Sequence, residues 1–227
     1  MNVLIFGATG MIGQGVLREC LLADDVARVV TLGRNATGQR HPKLHEIVHK
    51  DLDDYTAIEA QLRDFDACFF CLGVSSVGMN EADYTRVTYD LTLAAAQTLA
   101  RLNPRMTFVF VTGAGTDSTE RGSKMWARVK GRAENALQRL PFKAVYLFRP
   151  GAIQPLHGIR SKTAVYQAAY TVLRPFLSLL RALFPDSVLT TESIGRAMLA
   201  VAREGAATAV LESRDIRLLA ERKPAHG

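Results

Sequence analysis

Cysteine is scarce in this sequence, with three in 227 residues. An odd count with no secretory leader ahead of it does not build a disulfide framework, and a reducing, cytoplasmic setting is the expectation. No apolar run approaches the roughly 18 residues that a spanning helix needs. Blocks of like charge are also missing: the 28 basic and 22 acidic residues are interspersed, which argues against a nucleic-acid footprint. His41, His45, His49, His157 and His226 show no ligand spacing with nearby cysteines or acids, so no metal site is expected. No internal repeat, linker or low-complexity stretch divides the chain.

What remains is a chain 48% hydrophobic with a net charge of +6. That is enough for one domain with a substantial core, and the charge suits a polyanionic ligand. Apolar runs alternate with helix-period segments. Strands are expected over 2–6, 27–32, 44–50, 67–72, 107–112 and 142–148. Helices are expected from Met11, over 80–101 with Asn80 as its cap, and after a cap at Ser123. In the second of these Tyr84, Val87, Leu91, Ala94, Ala95 and Leu99 form one face. Strands alternating with helices imply a doubly wound parallel sheet covered on both faces.

After Pro150 the alternation breaks. Helices over about 161–184 and 192–203 and a late strand near 209–211 suggest a small C-terminal helical cap. Residues 1–151 form the expected core, and 152–227 the cap of the same compact domain.

Four glycines crowd the first strand–helix turn: Gly7, Gly10, Gly13 and Gly15. A tight turn off a strand needs freedom that a Cβ removes. A pyrophosphate needs close approach to N–H groups at a helix N-terminus. Gly7 and Gly10 suit these two tasks, and Gly13 lets the helix pack closely. The turn is GATGMIG, so Thr9, Met11 and Ile12 join the glycines as candidate cofactor contacts. At the end of the second strand stand Thr31, Leu32, Gly33, Arg34 and Asn35. An acid there accepts a ribose 2′-hydroxyl and an arginine accommodates a 2′-phosphate. Arg34 therefore favours NADP(H) over NAD(H), against the plainer reading of a solvated arginine.

The glycine spacing, Asp51 with Leu52 after strand three, and Arg149, Pro150 and Gly151 after strand six resemble the atypical short-chain dehydrogenase/reductases. That group has a Rossmann fold and includes NAD-dependent epimerase/dehydratase and NmrA-like branches. CLGVSS at 71–76 and VKGRAE at 129–134 look most like its Tat-interacting-protein-like oxidoreductase branch, and TESIGRAMLAV at 191–201 looks like the late helix. The resemblance implies that Asp51 and Leu52 lie against the adenine and that Leu72 and Gly73 pass the cofactor's middle. It implies that Pro150 and Gly151 turn beside the nicotinamide. It implies an oxidoreductase or epimerase acting on a small organic carbonyl or alcohol.

Such proteins use a tyrosine four residues before a lysine, with a hydroxyl after strand five to orient substrate. Here the lysine is Lys130, whose match implies ribose binding, and Trp126 stands at the tyrosine's place. An indole N–H is a donor only and cannot cycle a proton. Of the hydroxyl pair, Thr112 survives beside Gly113. Trp126 is open to two readings, a lid over the cofactor or plain packing. Tyr84, Tyr89 and Tyr166 are candidate replacement acids, and Thr116, Asp117 and Ser118 candidate substrate contacts. A catalytically inactive, NADP(H)-bound sensor controlling a partner is the rival reading. Cys68 and Cys71 fall on opposite faces of a strand and read as core. The segment 163–184, apolar on one face with arginines beside it, is open to packing on its own domain, a cleft lid, a homodimer contact, or weak contact with an anionic membrane.

Overall fold

The computed structural model describes residues 1–159 and 186–222. Seven parallel strands make the main sheet: β1 (Asn2–Phe6), β2 (Arg28–Gly33), β3 (Leu44–Val48), β4 (Ala67–Phe70), β5 (Thr107–Val111), β6 (Ala144–Arg149) and β9 (Val210–Glu212), in the order β3-β2-β1-β4-β5-β6-β9. Between the last two lie β7 (Ala152–Gln154) and β8 (Val188–Thr190), paired in parallel as a second small sheet. The six strands expected for the core are present, each with ends within two residues of the expected ones, and the late strand expected near 209–211 in the cap instead joins the main sheet as β9, beside β6.

Their side chains alternate between two cores, as the two-residue period of a strand requires. Val3, Ile5, Phe69 and Val109 face one side with helix α1 (Met11–Leu22). Leu4, Phe6, Phe70, Phe108 and Phe110 face the other, where rings stack from Phe6 through Phe70 and Phe108 to Phe142 at 4.9, 5.8 and 5.0 Å between centroids. Burial on both faces explains why the strands read as continuous apolar runs.

Asn80 caps as expected, its side chain accepting from the Asp83 N–H at 2.9 Å. The helix that follows is not uniform: α2 (Glu81–Thr85) passes through a π-helical turn (Arg86–Asp90) into α3 (Leu91–Leu102). The wider turn re-phases the buried stripe, so Thr88 and Thr92 are buried where Val87 and Leu91 are half-exposed. Ser123 does not cap α4 (Met125–Leu137). Lys124 holds the cap position, and Arg128 instead gathers the Gly122 and Ser123 carbonyls at 2.8 and 3.1 Å.

The C-terminal helices α5 (Thr191–Glu204) and α6 (Ser213–Ala220) cover the α1 side of the sheet. A capping box between Thr190 and Ser193 starts α5. α1 and α5 cross at two glycines: a Cβ on Gly15 would lie 2.6 Å from that of Thr191, and one on Gly195 would lie 2.7 Å from Glu19 Cγ. The expected helix over 161–184, with Tyr166 and its arginines, lies outside the described residues, as does His226. No helix among the described residues is long and apolar enough to cross a membrane.

Candidate functional site

At the carboxyl end of the sheet the strand order reverses between β1 and β4, and a cleft of about 300 Å³ opens there. Such switch points are where open α/β sheets take their ligands. Gly7 leaves β1 at φ +74°, and a Cβ on it would strike the Leu72 nitrogen at 2.6 Å. Its carbonyl accepts from the Gly10 N–H at 2.9 Å, closing the turn. Gly10 begins α1 in extended conformation with no side-chain cap. Among the described residues no acceptor takes the N–H groups of Met11 and Ile12, so the first turn of α1 keeps donors and positive dipole for an anion. Gly13 sits beneath: a Cβ there would be 2.2 Å from the Gly7 carbonyl oxygen.

Gly7, Thr9, Gly10, Met11, Arg34, Leu52, Leu72 and Gly73 all line this cleft, joined by Thr37, Cys71 and Val74. Arg34 is exposed at its rim with no ion pair among the described residues. The loop beyond it is braced from β3, where the Glu46 carboxylate accepts the Thr37 N–H at 3.0 Å and its hydroxyl as well. Leu52 is buried in the wall, whereas Asp51 stays exposed and accepts the Asp53 N–H at 3.0 Å. Ile12, Gly13, Asp51, Lys130, Pro150 and Gly151 do not line the cleft. Ile12 and Gly13 belong to the helix behind the turn, Lys130 to the helix α4, and Asp51, Pro150 and Gly151 to the segments that follow β3 and β6.

Trp126, Lys130 and Glu134 follow one another at four-residue steps along α4, which puts them on one face. The Lys130 ammonium donates to the Thr112 carbonyl and stands 6.0 Å from the centre of the Trp126 ring. Burial pulls the lysine down to about 8, with the Glu134 charge opposing the shift. The Thr112 hydroxyl does not face a substrate as expected. It donates to Glu134 Oε1 at 2.6 Å, because a fully buried carboxylate takes the nearest donor available. Glu134 also accepts from Arg149, through Nε at 3.0 Å and through Nη2. Gly151 is tied to α6, its N–H donating to Ser213 Oγ at 2.8 Å, and the Pro150 carbonyl accepts the Ala114 N–H at 2.9 Å.

Two of the candidate replacement acids, Tyr84 and Tyr89, are engaged elsewhere. Tyr84 is buried, which raises its phenol. The Tyr89 ring carries the Arg132 guanidinium 4.6 Å above its centre. Thr116 donates to the Gly113 carbonyl at 2.8 Å, Asp117 holds the Thr119 and Gly122 N–H groups, and Ser118 takes a bond from Arg149 at 2.5 Å. Cys20, Cys68 and Cys71 are free thiols, and no metal-binding group of acids, histidines and cysteines forms among the described residues. Glu134 is the residue that the sequence reading missed. Its signal was an acid one turn beyond Lys130, at a position where α4 turns its apolar side inward.

The model of the NAD dependent epimerase/dehydratase family matches residues 3–122, from β1 through the loop after β5. The chain belongs to that family. Similar proteins include Protein FMP52-1, mitochondrial, of Scheffersomyces stipitis, 26% identical over 155 residues that cover 67% of each chain. Protein HTATIP2 of Rattus norvegicus is also 26% identical over 155 residues, covering 67% of this chain and 62% of its own length. These place the chain beside the Tat-interacting-protein-like branch. An oxidoreductase of the short-chain dehydrogenase/reductase family from Burkholderia thailandensis shares the fold, with a TM-score of 0.65 at 18% identity over 92% of this chain and 88% of that one. An NAD(P)-type dinucleotide is the cofactor class of this family, and the glycine turn, whose space a Cβ at Gly10 would reduce, fits its pyrophosphate.

Proposed function

We propose that this chain binds NADP(H) in preference to NAD(H) and acts as an oxidoreductase of the short-chain dehydrogenase type on a small organic carbonyl or alcohol. The observation that carries the reading is the joint lining of one cleft by the glycine turn and by Arg34. The α1 N-terminus receives the pyrophosphate, Arg34 grips the 2′-phosphate, and the carbon chain of Leu52 packs against the adenine. Lys130, reaching past the end of β5, holds a ribose hydroxyl. The nicotinamide supplies the hydride chemistry when bound. Three free cysteines suit a reducing compartment such as the cytoplasm.

A second reading has its own support. Trp126 stands where a phenol is expected, and the Thr112 hydroxyl is captured by Glu134, so neither residue offers the reaction centre a hydroxyl. A protein so built holds the dinucleotide and governs a partner without turnover. Calorimetric titration with NADPH and NADH tests the first claim, and NADPH absorbance with mixed aldehydes and ketones separates the two readings. Steady oxidation supports the enzyme. Tight binding with no oxidation supports the sensor.

A further inference from the structure

Glu134 is wholly buried, and its carboxylate is the meeting point of three elements. From β5 it takes the Thr112 hydroxyl at 2.6 Å, and from β6 it takes Arg149 through two nitrogens. On its own helix it lies one turn beyond Lys130, whose ammonium is bound to the carbonyl of the same Thr112. One residue at the end of β5 is therefore pinned twice by α4, at its side chain and at its carbonyl. Arg149 in turn precedes Pro150, whose carbonyl holds the Ala114 N–H at 2.9 Å. Burying a carboxylate is costly unless it is paired, and a well-packed apolar side chain fills such space at least as well. A buried charge at the junction of β5, β6 and α4 is thus better accounted for by position than by stability.

We propose that Glu134 is a positioning residue for the dinucleotide, fixing the Lys130 ammonium and the turn after β6 where the ribose and nicotinamide arrive. The proposal rests on the NADP(H) reading above. Among the described residues the charge acting on the lysine is Glu134 on α4, whose carboxylate is paired with Arg149 on β6, and Arg149 in turn meets Glu212 on β9 at 3.5 Å. Removing the negative charge leaves burial unopposed, so the ammonium loses its proton at a lower pH.

The test is NADPH affinity against pH for wild type, Glu134→Gln and Glu134→Asp, with the Lys130 amine titrated by NMR in the ligand-free proteins. Wild-type affinity should fall as pH rises through the lysine's titration near 8. In Glu134→Gln that midpoint should move down by about one unit, giving roughly fivefold weaker binding at pH 8. Glu134→Asp, which keeps the charge on a shorter arm, should keep the wild-type midpoint while binding more weakly. If Glu134→Gln does not fold, Thr112→Val substitutes for it, since it removes one anchor and leaves the ion pair; its affinity should fall several-fold, and unchanged affinity overturns the proposal. Unchanged midpoint and affinity in a folded Glu134→Gln overturn it as well. A wild type that binds neither NADPH nor NADH fells the parent reading, and the ligand-free lysine titration then shows separately whether the coupling exists.

Discussion

Trp126 and Lys130 stand one helical turn apart on α4, with the lysine ammonium 6.0 Å from the centre of the indole ring. A phenol in the indole's place would lie beside that ammonium. Trp126→Tyr should therefore create a proton donor whose ionised form the lysine favours. Carbonyl reductase activity with NADPH should rise over a wild type with little or none, and adding Lys130→Ala should remove the gain. A wild type that turns over briskly and is unaffected by Trp126→Tyr draws its proton from elsewhere.

The glycines of the first turn separate into two kinds. A Cβ at Gly10 meets only the Gly7 carbonyl oxygen, at 3.2 Å, whereas one at Gly13 would sit 2.2 Å from that same oxygen. Gly10→Val should keep a cooperative thermal transition and lose NADPH binding by calorimetry. Gly13→Val should lose several kcal/mol of stability, about 3 or more, because backbone has to move.

Arg34→Ala removes a guanidinium that has no ion pair among the described residues, so the fold has little to lose. NADPH affinity should drop about tenfold or more, the size of a lost charge-assisted phosphate contact, while NADH affinity changes little. Equal losses for the two dinucleotides would assign Arg34 to the solvated surface.

Lys130 also leaves a mark on stability. Its folded value, about 8, lies below the ordinary 10.5. Between those limits the unfolded chain holds more protons than the folded one, so this group's contribution to stability rises with pH across that window and is flat below it. The span is at most about 3 kcal/mol. Denaturant unfolding at pH 7 and pH 10.5 should show Lys130→Met relatively more stable at the lower pH, with its advantage shrinking at the higher.

The parallel sheet was readable because strands buried on both faces must be apolar throughout, and runs such as TFVFV and ACFF leave little else to be. The glycine turn was readable for a related reason: a backbone demand at Gly7 and Gly13 admits one residue type. β7 and β8 were not readable. Three residues carry no period, and their pairing joins Ala152 to Val188 across the chain. The direction of the Thr112 hydroxyl was hidden as well, because it depends on Glu134, whose burial depends on Arg149 from another strand. Local pattern reports what each element needs, while a buried charge reports what three elements agree on.

The crossing of α1 on α5 ties the first turn of the chain to residues near position 190. Gly15 is shaped for Thr191, and Glu19 answers Arg196 at 3.3 Å. A ribosome making this protein releases the glycine turn long before its supporting helix exists. Until Thr191 and Gly195 emerge, α1 has one apolar flank facing water, so the nascent chain can hold neither a finished cradle nor its nucleotide. Ligand capture during synthesis should begin only once residues 191–204 have left the ribosome, and a chain stalled after β6 should be sought among the clients of holding chaperones.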